Sequence, residues 1–291
     1  MDLRAIGMGL AFALMWSSAF SSARIIVAHA PPLGISAVRF LTAGLIAIGL
    51  ARALGQSWRV TTGQARMILI FGVCQNALYL GLFFVAMQTI DASLAAIIAS
   101  TMPLMVALAG WLFLGDRLPP LGIAGLVAGF AGAGLIMGSR LSGGAIDPVA
   151  LVQCAIGVLA LTFATLTLRG ASSGGNVLMV VGLQMLVGAA TLAPVSVLTE
   201  TWAISWSWPF VAAFAYAVLV PGLVATLVWF LLVRRIGAVR AATFHFLNPF
   251  FGVGVAAVLL GEHIGPWDLV GVGVIMAGIL AVQLSRMPAA R

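Results

Sequence analysis

The sequence predicts an all-α membrane protein with ten transmembrane helices arranged as two inverted five-helix repeats. Three observations lead there. Hydrophobic residues make up 63% of the chain and charged ones 7%, against roughly 45–50% and 25% in a soluble domain. Ten stretches can be drawn of the about 20 mostly apolar residues that a membrane span needs. Residues 91–137 also resemble residues 237–283 at a constant offset of 146, without a gap.

In order, the apolar stretches are 5–28, 33–53, 65–88, 91–113, 119–138, 148–169, 175–198, 208–232, 236–259 and 265–284. None alternates apolar and polar residues as a membrane barrel strand would, so the reading is helical. The first is too long for the core of a signal peptide, contains Trp16 and Arg24, and is followed by no small-residue cleavage site. It is expected to stay as the first span. The remaining loops are too short for a soluble domain. Cys74 and Cys154 fall inside spans without metal-ligand spacing and read as small apolar filler.

The repeat rests on ten identities in 47 positions, among them Pro103 with Pro249, Leu114-Gly115 with Leu260-Gly261, and Pro120 with Pro266. Asp116 becomes Glu262 at the same register. Five spans per copy is an odd number, so the second copy must enter from the opposite side. The expected domains are 1–143, with spans 1–5, and 144–291, with spans 6–10 inverted. Such a pseudo-twofold points to a transporter, places a binding site near the midplane at the repeat interface, and implies alternating access.

Charge sets the orientation. The net charge is +7 and the 14 basic residues are all Arg. Eleven of them (Arg4, Arg52, Arg59, Arg66, Arg117, Arg169, Arg234, Arg235, Arg240, Arg286, Arg291) fall on one side, and Arg140 alone in the loops of the other. That bias places both termini in the cytoplasm. Asp91, Asp147, Glu200, Glu262 and Asp268 all land on the outer side. The positive charge therefore reports orientation in a lipid bilayer, not a nucleic-acid partner.

Lipid offers polar side chains no partners, so those inside spans are where function should show. Span 1 carries Trp16 and Ser17, span 3 Gln75, Asn76 and Tyr79, and span 4 Ser93, Ser100 and Thr101. Span 6 has Thr162 and Thr165, span 8 Thr226 and Trp229, span 9 His245 and Asn248. Intramembrane Ser and Thr mostly bond a carbonyl three or four residues back. His245 and Asn248 share a helix face, and Pro249 cannot donate its main-chain hydrogen bond, freeing a carbonyl one turn back. Pro103 does the same at the repeat mate. Such breaks are tolerated where they line a cavity or are covered by protein.

The expected substrate contacts are Trp16, Ser17, Gln75, Tyr79, Thr101, Trp229, His245 and Asn248, with helix breaks at Pro103 and Pro249. Arg24 and Arg39 snorkel outward or pair with Asp91 or Asp147 in an outer gate, or with a substrate carboxylate. Arg24, Arg39 and Asp91 are the expected gating residues. Trp202, Trp206, Trp208 and Trp267 sit at span ends as interface anchors.

Absences narrow the chemistry. No Asp or Glu lies mid-span, so there is no evident carboxylate for proton coupling. Three histidines without HExxH exclude a zincin-type metal site, and no Lys excludes a retinal Schiff base. Neither cofactor nor metal is expected, and no enzymatic activity. The expected partners are a small-molecule substrate and lipid, with a monomer sufficient.

The LMWSSAF run of span 1, Arg39-Phe40 in span 2, and the P…LFLGDR and P…VLLGE endings of spans 4 and 9 resemble the EamA family of the drug/metabolite transporter superfamily. The resemblance covers essentially the whole chain, and within that group it is similar to YddG-type amino acid exporters. It has Asp116 where the family commonly has Glu, and Trp-Ser-Ser where Trp-Gly-Ser is usual. The resemblance implies export of small metabolites, commonly amino acids or drug-like amphiphiles, across the bacterial inner membrane. A wall of Trp16, Tyr79 and Trp229 with amide and hydroxyl groups suits a partly apolar, zwitterionic ligand. A sugar-phosphate substrate would need deep fixed cations, and Arg24 and Arg39 look too shallow. A multidrug or quaternary-cation carrier is the alternative, disfavoured by the lack of a core acid. A membrane enzyme or lipid-handling scaffold is the remote one.

Overall fold

Proline opens helices in this chain because its missing N–H costs nothing at a first turn. Pro32, Pro120, Pro148 and Pro266 are each the first residue of a helix. In the computed structural model, which describes residues 3–142, 147–167 and 175–286, ten helices are long and apolar enough to cross a membrane. They are α1 (Leu3–Val27), α2 (Pro32–Ala53), α3 (Thr62–Ala86), α4 (Ala92–Phe113), α5 (Pro120–Arg140), α6 (Pro148–Thr167), α7 (Val177–Thr199), α8 (Trp208–Ile236), α9 (Arg240–Leu260) and α10 (Pro266–Ser285). The expected ten spans are borne out. The junction expected at 143–144, with Arg169 and Arg291, lies outside the described residues.

The Leu-Gly-acid corners have a clear physical role. Gly115 and Gly261 both adopt the left-handed conformation, φ 69° and 66°, which L side chains disfavour. After the second corner, Glu262 reaches the start of α4, where its two carboxylate oxygens accept from Ala92 N (2.8 Å) and Ser93 N (2.9 Å). The charge lies at the positive end of the helix and satisfies two of its orphan donors. Glu200 does the same for α2, accepting from Leu33 N and Gly34 N, both at 2.8 Å. At the other end of this pair, Gln56 Oε1 accepts from Met179 N (3.1 Å) in the first turns of α7.

The chain divides into two compact units, each drawing helices from both halves of the sequence. The first comprises Met1–Ser21, Thr89–Pro148 and Val224–Arg291; the second comprises Ser22–Gln88 and Val149–Leu223. In the first unit α5 packs along α10, α4 against α9, and α1 against α9 and the C-terminal part of α8. In the second, α7 packs along α2 and against α3.

The α5–α10 contact is reciprocal. A Cβ built on Gly125 would lie 2.7 Å from the Gly278 carbonyl oxygen, and one on Gly278 2.6 Å from that of Gly125. Gly132 and Gly271 answer each other in the same way, both at 2.9 Å. The two helices are therefore antiparallel and nearly in backbone contact, as small residues allow within membranes. At the offset of 146, Gly125 corresponds to Gly271 and Gly132 to Gly278, so each contact is the mate of the other.

Two pairs of irregularities follow the same offset. The helix widens to π geometry over Gly72–Leu80 in α3 and Val218–Val224 in α8. α4 breaks at Ser100-Thr101 before Pro103, and α9 tightens to 3-10 geometry over Thr243–Leu247 before Pro249. In α9 the cause is explicit. Pro249 cannot donate to the His245 carbonyl, and the Asn248 N–H takes its place. In α4 the Thr101 N–H turns to Ile98 O at 3.0 Å.

A methyl group at either tight glycine contact must separate α5 from α10. Gly125→Ala or Gly278→Ala is expected to destabilise the purified protein by about 1–3 kcal/mol. Gly134→Ala, on the same helix but with nothing within 4 Å, should cause no loss. Thermal melts in detergent check this; equal melting of all three variants would contradict the assigned packing.

Candidate functional site

In the first unit, α1, α8 and α9 bring four aromatic rings together. Gly9 admits the α9 ring of Phe244, since a Cβ there would lie 2.3 Å from that ring. This closeness lets Phe12, one turn on, meet α8 and α9. Its ring centroid lies 4.8 Å from that of Trp229 and 5.3 Å from that of His245, the latter edge-on at 88°. Trp229 lies 5.1 Å from His245, and Trp16 5.7 Å from Phe12. The 3-10 segment presents His245 and Asn248 together, and Asn248 Nδ2 donates to His245 Nδ1 at 3.0 Å. With the amide in this orientation, the proton of a neutral ring sits on Nε2.

Several buried polar atoms of this unit have no partner among the described residues: Asn248 Oδ1 and the hydroxyls of Ser17, Ser21 and Ser93. Unsatisfied groups of this kind cost free energy unless a ligand or water meets them. Thr101 differs, because its hydroxyl donates to Ile98 O at 2.7 Å. Pro103 and Pro249 are both buried, each opening the second half of its helix.

In the second unit, the widened turn of α3 carries Gln75 and Tyr79. Gln75 is half-buried. Tyr79 is buried and packs on Phe83 at 4.7 Å. Gly157 of α6 admits this pair, a Cβ there lying 3.1 Å from the Phe83 ring and 3.3 Å from the Tyr79 Cα. Asn76 Nδ2 donates to Gln184 O at 2.9 Å, tying α3 to α7. Arg24 donates to Met87 O (2.8 Å) and Gln88 O (3.4 Å). Arg39 is 7% exposed, with its guanidinium carbon 4.4 Å from the Phe40 ring centroid and 4.8 Å from that of Phe84.

Asp91 pairs with Arg140, at 3.2 Å. The Arg140 fork is held mainly by Asp268, with Nε to Oδ1 at 3.0 Å and Nη2 to Oδ2 at 2.9 Å. Asp147 accepts from Thr89 at 3.1 Å. The structure thus brings Trp16, Trp229, His245 and Asn248 into one cluster through Phe12, and places Gln75 and Tyr79 together in the other unit. Phe12, Arg140 and Ser36 are not among the site residues that the sequence predicts. Phe12 precedes Trp16 by one helical turn, and Arg140 was the lone loop arginine of its side, so both left a signal.

The match to known proteins is decisive at this point. The EamA-like transporter family matches residues 3–138 and again residues 149–284, the second match displaced by the same 146 residues as the internal repeat. The chain belongs to the EamA-like transporter family. Two relatives of this EamA-like transporter match it over nearly its whole length, and a third over half. The uncharacterized transporter YvbV of Bacillus subtilis (strain 168) is 25% identical, covering 93% of this chain and 88% of its own. The uncharacterized inner membrane transporter YedA of Escherichia coli (strain K12) is 26% identical over 96% and 90%. The aromatic amino acid exporter YddG of Ancylobacter novellus is 28% identical over 51% of this chain and 53% of its own. A solved crystal structure shares the fold, with a TM-score of 0.70 at 20% identity over 98% of each chain. The EamA-like transporter is a multi-pass membrane protein.

Within it, the Arg140 ion pairs should differ sharply in weight. The Asp268 side chain is 7% exposed, also accepts from Gly265 N, and opens α10, whereas Asp91 is 53% exposed. Asp268→Asn is expected to cost about 3 kcal/mol and Asp91→Asn less than about 1 kcal/mol. Melting in detergent reads the difference, and equal effects would refute the ranking.

Proposed function

We propose that this EamA-like transporter exports small amphiphilic metabolites, amino acids with aromatic or hydrophobic side chains among them, by alternating access. The observation that carries this is the cluster of Phe12, Trp16, Trp229 and His245 beside Asn248. Flat apolar walls meet a hydrogen-bonding pair, and Asn248 Oδ1 is buried with no partner among the described residues. Such a mixture suits a ligand with one apolar and one polar end. The relative named an aromatic amino acid exporter supports the substrate class, over half of the chain.

The proposed substrate contacts are Trp16, Ser17, Gln75, Tyr79, Thr101, Trp229, His245 and Asn248. The proposed repeats are residues 1–143 and 144–291, inverted in a bacterial inner membrane with both termini cytoplasmic. The reciprocal α5–α10 glycine contacts, the paired breaks and the doubled family match support the inversion. The arginine bias supports the orientation. Reporter fusions after Arg291 and in the Asp147 loop should therefore give opposite sidedness. Cytoplasmic signals from both would reject this topology.

A second reading, a carrier of organic cations, draws on the same aromatic rings, which attract cations through their faces. One experiment separates the two. Purified protein in liposomes should equilibrate aromatic amino acids with no pH difference imposed, since no carboxylate lies mid-span, and should not carry choline or tetraphenylphosphonium. Asn248→Ala is expected to weaken transport by a hydrogen bond's worth, about 0.5–1.5 kcal/mol. Trp16→Ala should change which amino acids are carried at equal protein levels. Cation transport, or strict dependence on a proton gradient, would reject the reading.

A further inference from the structure

An intramembrane arginine demands a partner, since burying an unpaired charge in a low-dielectric interior is costly. Arg39 lies about two turns into α2 and is 7% exposed, yet its Nε and Nη2 have no hydrogen-bond partner among the described residues. Each carboxylate among the described residues is engaged elsewhere. Glu200 caps α2, Glu262 caps α4, Asp91 and Asp268 hold Arg140, and Asp147 accepts from Thr89. Asp116 has an interaction of its own. Among the described residues, the positive charge of Arg39 is thus met by the rings of Phe40 and Phe84 alone.

The two open atoms share one edge of the guanidinium. Nε–H and one Nη2–H point the same way, and this edge binds a carboxylate through two parallel hydrogen bonds. The rings of Phe40 and Phe84 lie beside the guanidinium, 4.4 and 4.8 Å from its carbon, and supply apolar surface next to this edge. A third donor lies close in sequence. Ser36 is fully buried, its hydroxyl also has no partner, and it precedes Arg39 by three residues on the same helix face. Helical side chains lean toward the helix N-terminus, which carries the Arg39 head back over the turn holding Ser36.

We propose that the Nε/Nη2 edge of Arg39, with the Ser36 hydroxyl, is a carboxylate-binding site in α2. It takes a monoanion carried on an apolar group that packs beside Phe40 and Phe84. A dianion such as phosphate is disfavoured, because among the described residues the Arg24 Nη1 donors are already taken by the carbonyls of Met87 and Gln88, leaving the anion to the single guanidinium edge of Arg39. The site exists once per chain: at the repeat offset Arg39 corresponds to Met185, and Ser36 to Gly182. The inference rests on the reading of the chain as a carrier of amphiphilic metabolites and names the group by which they are held.

Binding in detergent, read by thermal shift and tryptophan fluorescence, tests it without transport. The probes are 3-phenylpropionate, its carboxamide and inorganic phosphate. The wild-type protein should bind the carboxylate at least about tenfold more tightly than the other two. Arg39→Gln and Arg39→Met should abolish that preference, and Arg39→Lys, which keeps the charge but loses the fork, should reduce it. Ser36→Ala should weaken carboxylate binding about 3–10-fold and leave carboxamide binding unchanged, a result that localises the site even if the Arg39 variants fail to fold. Equal wild-type affinities, tighter phosphate binding, an Arg39 variant that folds and keeps the preference, or an unchanged Ser36→Ala profile would overturn the site. Transport of amino acids and their amides at equal rates in liposomes would also overturn it while leaving amino acid export standing. Arg39-dependent carboxylate binding without any amino acid transport would do the reverse.

Discussion

In a bilayer every main-chain N–H and C=O must find its partner inside the protein, and the arrangement of this chain follows from that demand. Helix interiors meet it automatically; helix ends and breaks do not. Here three of the ends are met by long side chains from the segments that follow neighbouring helices. Glu262 closes the start of α4, Glu200 that of α2, and Gln56 the first turns of α7. Each cap also fixes which helix end lies beside which. Gly261 makes the first of these possible, because only its left-handed turn lets the chain leave α9 with Glu262 directed back.

The same demand shapes the interior of α9. Pro249 withholds one N–H, Asn248 supplies it, and the helix tightens as a result. That local repair sets His245 and Asn248 side by side, with Nδ2 on Nδ1. A backbone necessity therefore generates the polar half of the cluster. The aromatic half is set by a different contact, the bare backbone of Gly9 against Phe244.

The two halves of the chain keep their backbone devices in common and not their chemistry. Proline breaks, widened turns, left-handed corner glycines and tight helix contacts recur at the offset of 146. The chemical side chains do not. Trp16 corresponds to Thr162, Tyr79 to Ala225, His245 to Ala99, Asn248 to Met102 and Arg39 to Met185. This division is physically sensible. Matching backbone devices suit two copies of one family unit, while the proposed substrate, an amphiphilic metabolite, has no twofold axis and would be met by each group once.

Much of this was legible in the amino-acid sequence. Composition and span length determined the ten helices, the Leu-Gly-acid corners and prolines marked their ends, and the offset marked the repeat. His245 and Asn248 could be paired because residues three apart on a helix share a face whatever surrounds them. The sequence could not say that Phe12 joins Trp16 to Trp229 and His245, that Asp91 faces Arg140, or that Arg39 is buried beside Phe40 and Phe84 with Nε and Nη2 unpartnered among the described residues. Those are contacts between helices or choices among rotamers, and they depend on helix separation and register. Separation and register were decided only in the tertiary structure, at the glycines where backbones meet and at the carboxylates that tie one helix end to another.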